Sequence, residues 1–165
     1  MGRKMGDPNE LQVVNIRMVK EPSLYSEDRI ICPEDAVRVI AKELSTYDRE
    51  VFAVLNLKTN GQPINFNICS VGTLDASLVS PANVVKSGIL SNASAMLVFH
   101  VHPSGSLEPS KEDLDVTRRL ISASDILGLR LLDHVIIGGS TGKIFSFKSE
   151  GLMEQLRPRQ REWER

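Results

Sequence analysis

Apolar and polar positions along the chain change period several times, and each change marks an element. Residues 1 to about 28 mix Gly, Pro, Asn and charges around one short strand-like piece, VVNIRMV, and read as a loosely held N-terminal arm. From Pro33 the pattern becomes helical: Ala36, Val37, Ile40, Ala41 and Leu44 fall on one stripe, and Pro33, Glu34 and Asp35 suit a helix start. In EVFAVLNLKTNGQPINFNICSVGTL the period drops to two, Val51, Ala53, Leu55 and Leu57 alternating with Phe52, Val54 and Asn56. Asn60-Gly61 then suits a tight hairpin turn, so two antiparallel strands are expected. SPANVVKSGILSN predicts a second helix with Ser80 as N-cap, Pro81 in its first turn, and Val84, Val85, Gly88 and Ile89 on one face.

The run AMLVFHV is apolar on both strand faces, as in a central strand covered from both sides. A third helix follows, with Leu114, Thr117, Leu120, Ile121, Ser124 and Leu127 as its buried stripe and Gly128 near its end. LRLLDHVIIGG and KIFSFKS are the last strands before a polar tail, RPRQREWER, that contains Trp163. A hairpin together with a strand–helix–strand crossover implies an α/β domain with a mixed central sheet. The chain divides into an arm (1–28), one domain (29–151) and a C-terminal tail (152–165).

Composition narrows the function. A chain of 165 residues can bury one proper core. Its 20 Lys+Arg against 21 Asp+Glu give a formal charge of −1, so no overall basic field draws it to nucleic acid. No segment has signal-peptide or membrane-span character, so a cytoplasmic protein is expected. Cys32 and Cys69 form no C-x-x-C and are expected to be reduced and structural.

The chemistry concentrates in HVHPSGSLEPSKED, residues 100–113, at the junction of the apolar strand and the third helix. In an extended chain His100 and His102 project to the same side while Val101 points away. A bare H-x-H is more often a pair of ordinary strand-end polar residues than a metal site. Here, however, Pro103-Ser104-Gly105 forces a turn, and Ser110-x-x-Asp113 has the form of a helix N-terminus. That path brings the Asp113 carboxylate back toward both imidazoles, giving three N and O ligands. Ser110 and Asp113 equally fit a capping box, which alone would account for both. Asp115 faces away around the helix, and Glu108 and Glu112 read as solvated. Two histidines and one carboxylate leave a fourth position open on a tetrahedral zinc, the arrangement of a catalytic site. A separate base is then wanted, and Glu50 is the candidate, although its position at a strand end also suits a solvated charge.

With these residues identified, the chain resembles the JAB/MPN metalloprotease family, whose signature is a Glu on an early strand, then H-x-H-P-x-G and P-S-x-x-D. It is most similar to the RadC-like branch, in GTLDASLVSPANVVKSGIL, the PSG and PS elements, and LLDHVIIG, across about Pro33 to Gly151. The resemblance implies a three-layer α/β/α fold like that of cytidine deaminases. It implies one Zn²⁺ per chain on His100, His102 and Asp113, Glu50 as general acid/base, and Ser110 stabilising a tetrahedral oxyanion. The implied reaction is hydrolysis of an amide in a protein or peptide. The longer RadC-like proteins carry a helix-hairpin-helix type segment ahead of this domain, for which the arm is too short, so DNA binding is not carried over. His134 and Asp133, in LLDHVIIG, read as hydrogen-bonded core or supporting residues and not as ligands. Zinc deaminases need H-x-E and P-C-x-x-C ligands that this chain lacks. Barrel hydrolases with H-x-H need about 250 residues, and metallo-β-lactamase-like enzymes usually continue their H-x-H with an Asp-His that is missing here. The rival that remains is a zinc-containing but non-catalytic scaffold in DNA-processing or mobile-element biology.

Overall fold

A computed structural model describes residues 30–44, 47–72 and 79–158. The arm with its VVNIRMV piece, residues 73–78 and the tail from 159 on, including Trp163, lie outside the described residues. The elements run α1 (Pro33–Leu44), β1 (Val51–Leu57), β2 (Pro63–Val71), α2 (Pro81–Leu90), β3 (Ala95–His102), α3 (Lys111–Leu127), β4 (Arg130–Gly138), a single 3₁₀ turn (Gly139–Thr141), β5 (Lys143–Ser146) and α4 (Leu152–Leu156).

The five strands form one mixed sheet in the order β2-β1-β3-β4-β5, with β3 and β4 parallel and the other neighbours antiparallel. The parallel pair needs a crossover, and α3 supplies it. Helices cover both faces, so the architecture is three-layer α/β/α. On one side α1 packs Ala36, Ile40 and Leu44 against Val51, Ala53, Leu55, Leu97, Phe99 and Val135. On the other, Val84 and Val85 of α2, Val116, Leu120 and Ile121 of α3 and Met153 of α4 close over Phe52, Val54, Met96, Val98 and Ile136. Every residue of β1 and β3 is buried, because each is flanked by strands and roofed on both faces. Asn56 is the polar exception in β1; its amide donates to Asn65 Oδ1 at 2.7 Å and Ser87 Oγ at 2.9 Å.

Local signals explain the start of α1 and the end of α3. The Asp35 carboxylate accepts from the N–H groups of Ile31 (3.2 Å) and Cys32 (3.3 Å) at the start of α1. Gly128, at φ 66°, ends α3 in the left-handed conformation that favours glycine.

Several expectations are corrected. The hairpin connection spans residues 58–62, closed by Lys58 N–H to Gln62 O at 2.9 Å, so it is longer than a two-residue turn. Of the Asn60-Gly61 pair only Gly61 has positive φ, and a side chain there would meet the Ile30 carbonyl oxygen at 2.9 Å. Ser80 precedes α2 without a side-chain cap, leaving the start to Pro81. Ile89 is 52% exposed and Leu127 48% exposed: each sits in the last turn of its helix, and Leu129, just past Gly128, takes the core position instead. β5 stops at Ser146, although Phe147 remains fully buried. The folded chain also runs on past Gly151 into α4, which anchors through Met153. Cys32 and Cys69 are both free thiols. Among the described residues no helix is long and apolar enough to cross a membrane.

Candidate metal centre

The site forms where β3 ends. On this strand Met96 and Val98 face the α2–α3 layer while Leu97, Phe99 and Val101 face α1, so alternation turns both His100 and His102 toward the N-terminus of α3. Both are buried, at 2% and 8% exposure. Phe52 of β1 pairs with His100 across the antiparallel ladder. Glu50, two residues earlier and on the same face, brings Oε2 to 3.7 Å from His100 Nε2 with about a third of its side chain (36%) exposed. It therefore stands at the rim of the site, on the face the histidines occupy.

Asp113 enters from α3 and is fully buried. Its carboxylate divides between two tasks. Oδ2 accepts from the Ser110 N–H at 2.8 Å and from the Ser110 hydroxyl at 2.5 Å, while the Asp113 N–H donates to Ser110 Oγ at 3.0 Å. That is a complete capping box. Oδ1 meanwhile lies 2.6 Å from His100 Nδ1. Capping and contact with the histidines, which looked like competitors in the sequence, thus fall mainly on different oxygens of one carboxylate. Burial works against the charge on Asp113, but hydrogen bonds from His100, His102 and Ser110 outweigh it and hold the carboxyl well below its usual range. The Asp113 carboxylate in turn raises His102, against the effect of burial.

His102 is oriented from behind. Its Nδ1 lies 3.0 Å from the Ser106 carbonyl oxygen, which can only accept, so Nδ1 carries the proton. Nε2 then faces His100 Nδ1 at 3.1 Å and Asp113 Oδ2 at 3.6 Å. The three residues are a group that could hold a metal ion. His100 Nδ1 lies 2.6 Å from Asp113 Oδ1 and 3.1 Å from His102 Nε2, both shorter than the roughly 3.3 Å edge of a tetrahedron with bonds of 2.0–2.1 Å, so the donors would spread slightly to take an ion. Two imidazoles and a carboxylate oxygen are the donor types zinc accepts.

The 103–110 loop that joins these residues rests on the end of β4 and the glycine after it, which sequence reasoning passed over. A side chain at Gly138 would stand 2.9 Å from the Gly105 carbonyl oxygen, and one at Gly139 2.8 Å from that of Pro103. The Gly-Gly pair ending the strand was the available signal. Glu108 and Glu112 are exposed, and Asp115 pairs outward with Arg118 at 2.7 Å, so none joins the site.

Asp133 and His134 have the supporting character expected of them. Asp133 accepts from the Ser146 hydroxyl at 2.5 Å and the Lys148 N–H at 2.9 Å, tying β4 to β5; burial pushes its carboxyl up against these bonds. His134 is stacked on Phe147, with ring centroids 4.5 Å apart, and burial pushes it from 6.5 down to about 3. In the unfolded chain His134 takes up a proton as pH falls below 6.5, whereas the folded ring stays neutral until about 3. Within that window the unfolded state binds more protons, so stability falls as pH falls. His102 and Asp133, both raised, act in the opposite direction, so the His134 contribution is read as the difference in urea-unfolding stability between the metal-free wild type and His134→Phe, expected to fall by up to about 1.4 kcal/mol per pH unit between about pH 6.5 and 4.5. A difference flat in pH would contradict the neutral buried ring.

The profile described as the RadC-like JAB domain matches residues 30–152. Among curated proteins the chain is similar to a UPF0758 protein of Desulforamulus reducens, 42% identical over 133 residues, which cover 79% of this chain and 58% of that protein. It is also similar to UPF0758 proteins of Listeria monocytogenes serotype 4b (39% identical, 92% of this chain, 60% of the relative) and Syntrophomonas wolfei (40% identical, 93% and 60%). The chain therefore spans less than two thirds of the length of these relatives.

Proposed function

Because the chain belongs to the RadC-like JAB domain family and gathers His100, His102 and Asp113 into a group that could hold a metal ion, we propose that it is a zinc-dependent amide hydrolase acting on a protein or peptide. The observation that carries this reading is the convergence of two oriented imidazoles and one buried carboxylate at a strand end, with an acidic side chain beside them. A zinc ion held there would supply Lewis acidity, lowering the pKa of a water and polarising an amide carbonyl.

The chain's own residues supply the rest. Ser106 and the capping box hold His102 and Asp113 in the orientations in which their donor atoms face one another. Glu50, near enough to contact His100 and exposed enough to meet a substrate, accepts the proton of the attacking water and delivers it to the leaving amine nitrogen. Ser110 stabilises the developing oxyanion as a hydroxyl donor. To do so the hydroxyl turns away from Asp113 Oδ2, and the Ser110 N–H at 2.8 Å keeps that oxygen capped. The free thiols of Cys32 and Cys69 suit a reducing cytoplasm.

Chelation tests the reading directly. Zinc-loaded protein is expected to cleave a member of a panel of peptide- and isopeptide-linked substrates, to lose that activity on dialysis against a chelator, and to regain it with one equivalent of Zn²⁺. Cleavage that persists after metal removal would overturn it.

A further inference from the structure

Beneath the site runs a buried polar chain with no part in the chemistry above: the Asp113 carbonyl, the Thr117 hydroxyl and the His134 ring. Thr117 and His134 are both fully buried. Thr117 Oγ1 lies 2.5 Å from Asp113 O and 2.7 Å from His134 Nδ1. A hydroxyl has one hydrogen and a carbonyl can only accept, so the Thr117 hydrogen goes to Asp113 O. Toward His134 the same oxygen must then accept, which places the ring proton on Nδ1.

A second observation agrees. With Nδ1 protonated on a neutral ring, Nε2 is a bare lone pair, and His134 Nε2 has no hydrogen-bond partner. It sits among aromatic rings, with Phe52 edge-on at 5.5 Å and Phe147 stacked. An unpaired acceptor is tolerated in such surroundings more readily than an orphaned N–H.

We propose that Thr117 and His134 are positioning residues for Asp113, a donor chain from Nδ1–H through the hydroxyl to the carbonyl that ties the first turns of α3 to β4. The proposal rests on the reading of Asp113 as a metal ligand. β4 runs beside β3 with His134 opposite Val98 and Ile136 opposite His100. Fixing α3 on β4 therefore fixes the Asp113 carboxylate relative to the strand that carries both histidines. Without the chain, the start of α3 would lose its directed bond to β4 and be placed by apolar packing and the His100–Asp113 contact on β3.

The wild-type protein decides the ring state. Nitrogen-15 histidine spectra of the metal-free protein near pH 7 are expected to show His134 as the neutral Nδ1–H tautomer; an Nε2–H or charged ring overturns the proposal without recourse to any variant. Co²⁺ titration followed by visible absorption then reads the positioning. Thr117→Val, which keeps shape and removes the hydroxyl, is expected to weaken Co²⁺ binding about 10–100-fold, and Thr117→Ser to stay within about threefold of wild type. Undiminished affinity in Thr117→Val, or a loss in Thr117→Ser as large as in Thr117→Val, overturns it, the latter by showing that the methyl group matters. If the wild type took up no Co²⁺, the metal reading would fall and take the proposal with it; uptake unchanged by Thr117→Val defeats the proposal alone.

Discussion

Replacing Asp113 by alanine is expected to empty the site of metal: zinc content after saturation and desalting falls from about one equivalent per chain to background, an affinity loss of at least about 100-fold. The expectation follows from the economy of the donor set. His100 and His102 are held 3.1 Å apart at their facing nitrogens, and with Asp113 gone the proposed donor set loses its carboxylate and keeps only two imidazoles for a dication. The same substitution removes the capping carboxylate from α3, at a cost of about 1 kcal/mol, so a fall in stability accompanies it. His102→Ala separates the two effects, since it deletes a donor and leaves Ser110 and Asp113 to cap the helix. It is expected to lose the metal with less loss of stability than Asp113→Ala. Glu112→Ala, in the same helical turn but exposed, should change neither. Elemental analysis with chemical unfolding of all three checks this, and an Asp113→Ala protein that keeps one zinc at wild-type affinity would remove the basis of the site.

Glu50→Gln is expected to show the opposite pattern, full metal content with turnover down by about 10²–10⁴-fold, the usual contribution of a positioned general base. Glutamine keeps the length and shape of the side chain but cannot take up a proton. The 3.7 Å approach of Glu50 Oε2 to His100 Nε2 is too long for a hydrogen bond, so its loss should leave the ligand geometry in place. Loss of zinc from this variant would make Glu50 part of the ligand set, and undiminished turnover would place the base elsewhere. The variant also distinguishes an enzyme from a scaffold. A non-catalytic module would complement a deletion as well with glutamine at this position as with glutamate.

How much of this was legible in the sequence follows from the range of each interaction. The pleat alone puts His100 and His102 on one face, because residues two apart in a strand always share a side. Helical spacing alone identifies α1 and α3, and Ser110-x-x-Asp113 alone announces the start of α3. The same spacing is less reliable at helix ends: Ile89 and Leu127 continue their apolar stripes in sequence but reach solvent, because the layer beneath them has run out.

What the tertiary structure decided depends on contacts between distant segments. The β1–β3 ladder, Phe52 opposite His100, puts Glu50 at the rim of the site, which no feature of the sequence around Glu50 expresses. The separate use of the two Asp113 oxygens depends on the helix N-terminus meeting the strand end, and the Thr117–His134 bond joins residues 17 apart. Gly138 and Gly139 have meaning only because the 103–110 loop lies against them. Local periodicity is set by backbone geometry and is written along the chain; register and close approach are set by how the layers pack, and they appear only when distant segments meet.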